Sequence, residues 1–330
     1  VQLLNEVVGT AVGVLIYSFC CAICSLLLIW LVWVHHERDS FVALLSYSTL
    51  LSTITSIIQQ IHTIIDWRDI RIEQYNNSVS HNRNAQIIVA SPAVGLDLIL
   101  FYIQYYCYNV EGLLTLFWAT ALTHSIYGFA NPPSFKAIRH AVSPVAKVIA
   151  VLLPALFIGL LQIKTLQTSL VAFLVVANIN MMATMLFGSI ILLVILGKYV
   201  HTRRQLLSWD VYGASATSQT TAVGSRHTSR SRYRKKSIYD RWLIVRFTVA
   251  FAVLAGFQLA TIFFEVESIY RNSSEAITKG PDLTVATAKA DFLFFLPGVS
   301  PSILVFVVFG TTKPFCDTMR YTFIPKRFRR

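Results

Sequence analysis

The chain has 330 residues, of which 55% are hydrophobic and only 13% are charged, and its formal net charge is +12. A soluble globular domain is usually about 45–50% apolar and about 25% charged. This excess of apolar residues is more than one globule of this size can bury, so composition excludes an ordinary soluble domain. It favours an integral membrane protein in contact with the lipid bilayer.

Apolar runs separated by polar breaks predict seven transmembrane helices. A helix rises 1.5 Å per residue, so about 20 apolar residues cross the roughly 30 Å hydrocarbon core. The sequence therefore predicts an all-α bundle over residues 1–330, as a single domain. The predicted spans cover about 7–34, 41–65, 96–129, 145–163, 170–200, 242–267 and 290–309.

The distribution of Lys and Arg predicts the orientation of these spans. The segments 35–40, 130–147, 198–246 and the tail after residue 309 hold 1, 3, 11 and 6 basic residues, which is 21 of the 28. The loops on the opposite side hold the other 7. Because cytosolic loops are enriched in Lys and Arg, the N-terminus is predicted to lie outside, with the protein in the plasma membrane. The net charge thus reflects topology, and no nucleic-acid partner is expected.

Two glycosylation sequons agree with this orientation. Asn76 begins NNS and Asn272 begins NSS. Both fall in the predicted outer loops, 66–86 and 271–289. The agreement between sequons and charge predicts glycosylated outer loops at these two positions.

The longest inner loop, 201–241, is rich in Ser, Thr, Gly and Ala, and strongly basic at its ends. Such a composition cannot bury enough apolar surface to order itself, so the loop is predicted to be disordered. Its basic ends set the topology and face lipid headgroups, and a further hypothesis is that they contact a cytosolic effector. The residues assigned to that contact are Arg203, Arg204, Arg234, Lys235 and Lys236.

The segment after the last span predicts a short amphipathic helix on the inner membrane surface, at about residues 313–325. Phe315, Met319 and Phe323 recur every four residues, with basic residues around them. Cys316 lies at membrane height, where it could carry a palmitoyl group or remain unmodified.

Polar residues at membrane depth are costly, and usually face the bundle interior. The sharpest is Glu111, within the otherwise apolar run YNVEGLLTLFW, on one helical face with Gln104 and Tyr108. Two interpretations stay open for it: a ligand-binding acid, or a neutral Glu hydrogen-bonded to a neighbouring helix. The full set of candidate pocket residues is Gln59, Gln60, Gln104, Tyr108, Glu111, Asn178, Gln258 and Glu265.

The seventh span contains two prolines four residues apart, Pro297 and Pro301, on either side of Gly298. Proline removes a backbone N–H from the helical ladder, so this pair predicts a hinge.

Seven spans, an outside N-terminus, a long basic third inner loop and an amphipathic tail helix resemble a G-protein-coupled receptor. The stretches FYIQYYCYNVEGLLTLFWATAL (101–122) and VFGTTKPF (308–315) resemble fungal receptor-like proteins, loosely related to the slime-mould cAMP-receptor and fungal glucose-sensing types. The third span ends in THSIYGF where rhodopsin-like receptors have DRY, and the seventh lacks NPxxY. The resemblance implies a heterotrimeric G protein as partner, and an extracellular small ligand such as a nutrient.

The leading functional prediction is therefore a receptor that signals through its cytosolic loops. The alternative is a small-molecule transporter, although no internal repeat supports one. A membrane enzyme is not expected, because no HExxH, GxSxG or His/Asp cluster is present. No cofactor, catalytic residue or metal site is predicted.

Overall fold

The computed structural model describes residues 2–80, 93–127, 134–216, 248–249, 252, 255–256 and 280–323, and every regular element among them is helical. The long helices are α1 (Asn5–Val34), α2 (Phe41–Ser80), α3 (Gly95–Tyr127), α4 (Ser134–Leu161) and α5 (Leu170–Ala216). A single helical turn, Lys164–Gln167, joins α4 to α5. The C-terminal part contains α6 (Val285–Leu293), α7 (Phe295–Val305), a π-helical turn (Phe306–Gly310) and α8 (Lys313–Phe323).

Among the described residues, five helices are long and apolar enough to cross a membrane. They are Asn5–Val34, Phe41–Ser80, Ser143–Leu161, Val171–Lys198 and Val285–Gly310. Helix α3 is as long as these, but Gln104, Asn109 and Glu111 lower its hydropathy. The sixth predicted span, 242–267, lies almost entirely outside the described residues.

The pattern of burial is the reverse of that in a soluble protein. Large apolar side chains face outward on α1 and α5, where Ile16 is 59% and Val171 is 72% exposed. Hydroxyl and amide side chains are buried between the helices, as with Ser18, Thr53 and Gln60, each 0% exposed. Because water would favour the opposite arrangement, the outer surface is suited to lipid.

Helix α2 and helix α3 form the centre of the described bundle. Helix α2 packs against α1, α3 and α7, while α3 also packs against α4 and α5. One apolar cluster near the α8 end contains Leu28, Leu31, Leu114 and Phe315. A second, at the opposite end, joins Val7, Trp67 and Phe292.

Residues 134–144, expected to lie in an inner loop, form the start of α4. Two further predicted loops are partly helical in the structure. Residues 66–80, expected to begin an outer loop, continue α2 after a local kink at Asp66, where φ is −120° and ψ is 25°. Residues 201–216, expected to begin the disordered inner loop, extend α5 to Ala216. In both cases the helix continues past its apolar part, because polar residues can still form backbone hydrogen bonds once the helix is nucleated.

Candidate functional site

A polar seam joins α1, α2 and α7 in the bundle interior. Gln60 donates from Nε2 to Ser18 Oγ at 2.8 Å and to Ser56 Oγ at 3.2 Å, and its Oε1 accepts from Ser18 at 3.2 Å. Thr53 and Ser302 hydroxyls lie 2.7 Å apart. Gln60 was a predicted pocket residue, but the structure places it in this satisfied seam facing α1.

A second polar group lies on the face of α3 that meets α2. Gln104 Nε2 donates to Gln59 Oε1 at 2.8 Å, and the Tyr108 hydroxyl donates to Gln104 Oε1 at 3.4 Å, which is a weak bond. Glu111 follows one turn later on the same face. The predicted residues Gln104, Tyr108 and Glu111 therefore lie along one face of α3. Gln59 lies across from them on α2.

Glu111 is the least satisfied member of this group. Its side chain is 7% exposed, and its Oε1 is buried without a hydrogen-bond partner among the described residues. Desolvating a carboxyl oxygen without a compensating bond is costly, more so if the group is charged. This position can therefore accept a hydrogen bond or a positive charge from a bound group. We call Gln59, Gln104, Tyr108 and Glu111 the α3 polar site.

The α3 polar site contacts the proline-containing helix α7. A Cβ added to Gly298 would lie closer than 3.0 Å to the Tyr108 hydroxyl oxygen, and 3.5 Å from Tyr108 Cζ. Pro301 lies inside α7, and a short break separates α6 from α7 one turn before Gly298. The predicted hinge residues Pro297 and Pro301 thus lie next to the site.

On its other side α3 meets α5 through asparagines. Asn180 Nδ2 donates to Asn109 Oδ1 at 2.7 Å, and Asn109 Nδ2 donates to the carbonyl of Tyr105 at 2.8 Å. The predicted pocket residue Asn178 instead donates to the carbonyl of Leu174 in its own helix at 3.2 Å. The asparagine contact between α5 and α3 is thus made by Asn180, which lies two residues after the candidate Asn178.

The end of the bundle near the N-terminus contains the charged contacts. Asp291 accepts hydrogen bonds from Trp67 Nε1 and Arg71 Nε, each at 3.0 Å, and forms a salt bridge with Arg71 Nη2. His62 Nδ1 lies 3.1 Å from Asp97 Oδ1. The Arg71–Asp291 pair fixes α6 against α2, and no sequence pattern predicted it.

At the opposite end, α8 packs against α1. His35 Nε2 lies 3.0 Å from Thr318 Oγ1, and its ring lies 4.9 Å from that of Phe315. Trp30 contacts Phe323 edge to face at 5.7 Å. The predicted tail helix is thus present over Lys313–Phe323, with Cys316 partly buried.

Several predicted site residues fall where the structure gives no side-chain description. Gln258, Glu265, Asn272, Arg234, Lys235 and Lys236 lie outside the described residues, and of Arg203 and Arg204 only the helical backbone is described. Asn76 lies on α2 with its side chain exposed, and Ser78 of the same sequon donates to the carbonyl of Gln74 at 3.0 Å.

Comparison of the chain with protein-family models, with curated proteins and with solved structures finds no match. Fold and burial together define an all-helical protein whose apolar helices are suited to a lipid bilayer. Its function therefore has to be argued from the α3 polar site itself.

Proposed function

We propose that this chain is a seven-span membrane receptor with an extracellular N-terminus, and that the α3 polar site binds a small extracellular ligand. The observation that carries the proposal is Glu111, a buried carboxyl inside the helix bundle whose Oε1 has no hydrogen-bond partner among the described residues. Ionisable groups at membrane depth generally belong to ligand, ion or proton sites. The ligand would supply the missing hydrogen-bond donor, as an ammonium or a hydroxyl group.

A receptor also needs an element that responds to the ligand. Helix α7 suits this role because its prolines interrupt the backbone ladder beside Tyr108, and because the π-helical turn and α8 follow directly. A shift of α7 would reach the face predicted to be cytosolic. The partner proposed there is a heterotrimeric G protein, which rests on resemblance of architecture.

Binding can be tested on the full chain in lipid nanodiscs with a panel of hexoses, amino acids, primary amines and nucleosides. A ligand present at 100 times its Kd stabilises the folded state by about 2.7 kcal/mol, which gives a measurable thermal shift. We expect one class to stabilise the wild type and not Glu111→Gln. If stabilisation by every active compound survives in Glu111→Gln, the α3 polar site is not the ligand site.

Receptor and transporter functions are then separated with the active compound. A receptor predicts ligand-dependent nucleotide exchange on a co-reconstituted G-protein heterotrimer, with no accumulation of the radiolabelled compound in proteoliposomes. Accumulation without nucleotide exchange would identify a transporter.

A further inference from the structure

Tyr108 and Gly298 form a close contact between the α3 polar site and helix α7. The tyrosine hydroxyl occupies space that the Cβ of any residue other than glycine would need, since that Cβ would lie closer than 3.0 Å to it. The same Cβ would lie 3.5 Å from Cζ, which is ordinary van der Waals contact. The conflict therefore involves the hydroxyl alone.

The hydroxyl cannot move aside independently of its ring. A phenolic oxygen is rigidly attached, so Tyr108 could retreat only by rotating the whole ring away from α7. That rotation would break its weak bond to Gln104 Oε1, at 3.4 Å. The position of Gly298 is thus tied to the conformation of the α3 polar site.

Helix α7 is not rigidly held at this level by its own backbone. Pro297 and Pro301 have no N–H, so the carbonyls four residues before each lose their helical partners. The break between Leu293 and Phe295 lies one turn before Gly298. The backbone hydrogen bonds that would normally fix α7 near Gly298 are incomplete. A side-chain contact can therefore determine the position of this part of α7.

We propose that Tyr108 is a positioning residue, and that its hydroxyl, seated against Gly298, transmits a change at Glu111 to helix α7. This inference rests on the proposed receptor function, and adds to it the residue pair through which the site would act. Glu111 lies three residues after Tyr108 on the same face of α3, where side chains at this spacing are neighbours. A group that binds Glu111 would thus shift Tyr108, and Tyr108 would shift α7.

The steric contact between the Tyr108 hydroxyl and Gly298 is tested by hydrogen–deuterium exchange of the full chain in nanodiscs. This measurement needs neither ligand nor effector. Gly298→Ala should raise exchange in residues 295–305 by about tenfold, a size typical of coupling between contacting residues. Tyr108→Phe/Gly298→Ala should return exchange to within about twofold of the wild type, because the conflicting oxygen is gone. Gly13→Ala is the matched control, since nothing lies within 4 Å of a Cβ at that glycine, and it should change nothing.

Two results would contradict the contact between the Tyr108 hydroxyl and Gly298. One is a Gly298→Ala variant with wild-type exchange, and the other is a double variant as perturbed as Gly298→Ala alone. If Gly298→Ala does not fold, recovery of folded protein in the double variant supports the contact, and failure to recover it counts against the contact.

Transmission from Glu111 to α7 is tested by a second double-mutant cycle with Glu111→Gln, which replaces the carboxyl group by an amide of the same shape. In the Tyr108 background it should change exchange in residues 295–305 by about tenfold, and in the Tyr108→Phe background by less than about twofold. Equal effects in the two backgrounds, or none in either, would show that Tyr108 transmits nothing. Because this experiment uses no ligand, its result can be interpreted even if the receptor proposal fails.

Discussion

Glu111 is the residue whose burial and chemistry conflict most directly. It is 7% exposed, and no described hydrogen bond reaches it. Among the described residues, no side chain of a neighbouring helix satisfies its Oε1, which leaves that oxygen able to accept a hydrogen bond from a bound group. The sequence leaves two interpretations of Glu111 open, and this environment favours ligand binding over a structural hydrogen bond.

Substitutions at Glu111 separate these interpretations. Glu111→Gln keeps shape and should leave surface expression nearly unchanged, while abolishing the response to ligand. Glu111→Leu should also reach the surface, because no described partner is orphaned. Surface labelling and a response assay on both variants measure this. A structural role would give the reverse pattern, with Leu poorly expressed and Gln signalling normally.

The Arg71–Asp291 pair predicts a stability effect away from the site. Asp291→Ala leaves the Trp67 N–H and the Arg71 guanidinium without their acceptor, and should cost about 1–3 kcal/mol. Asp291→Asn keeps one oxygen for Trp67 and should cost less. Thermal unfolding in nanodiscs measures both, with the exposed Asp317→Asn as control. Equal stabilities for Asp291→Ala and Asp317→Asn would contradict the structural role.

At the scale of elements, the start of α6 depends on a carboxylate. Asp282 accepts a 2.7 Å hydrogen bond from Thr287 Oγ1 and a 3.0 Å bond from the Thr284 backbone N–H, and Thr284 is the N-cap. These bonds, first that from Thr287, lower the pKa of Asp282 below its ordinary value. Burial opposes them only weakly, because the side chain is exposed.

This pKa shift predicts an acid-sensitive helix start. The folded state binds the proton less readily than the unfolded state, so the stabilisation is present above the unfolded pKa, about 3.9, and is lost as pH falls below it toward the folded value. Protection of the Val285–Leu293 amides against hydrogen exchange should fall on acidification through this range. Asp282→Asn should remove that pH dependence. An unchanged acid sensitivity in Asp282→Asn would assign it to another group.

The helical pattern predicted which α3 residues share a face, but not which neighbours meet them. Gln104, Tyr108 and Glu111 recur at spacings of four and three residues, which a helix places together. Gln59 and Gln60 are about 100° apart on α2, so spacing alone could not show that Gln59 faces α3 while Gln60 faces α1. Spacing alone likewise could not show that Asn180 meets Asn109 of α3, because the rotation of α5 is set by packing.

Helix ends and irregular turns were the least predictable elements. The polar composition of residues 66–80 is compatible with a loop or with a solvated helix, and contacts of α2 such as Trp67 and Arg71 with Asp291 hold it as a helix. The π-helical turn at Phe306–Gly310 has no sequence signature. There Gly310 packs so closely that a Cβ would meet the Phe306 ring at 2.8 Å.

For the whole molecule, the N-terminal segment and α8 lie at opposite ends of the bundle. The Gln2 backbone N–H donates to the carbonyl of Ile65, beyond the start of α1, while α8 contacts Trp30 and His35 at its end. An odd number of spans produces this arrangement. The seven spans that we propose would be the five apolar helices, α3 and the predicted span at 242–267.

Topology mapping on intact cells tests the seven-span receptor most directly. Epitope tags are inserted singly within 81–92, 217–241 and 271–279, and antibody binding is measured before and after permeabilisation. Seven spans with an outside N-terminus predict that the first and third tags bind antibody on intact cells, and the second only after permeabilisation. Binding to the 217–241 tag on intact cells would contradict the orientation, the cytosolic effector face and the receptor function together.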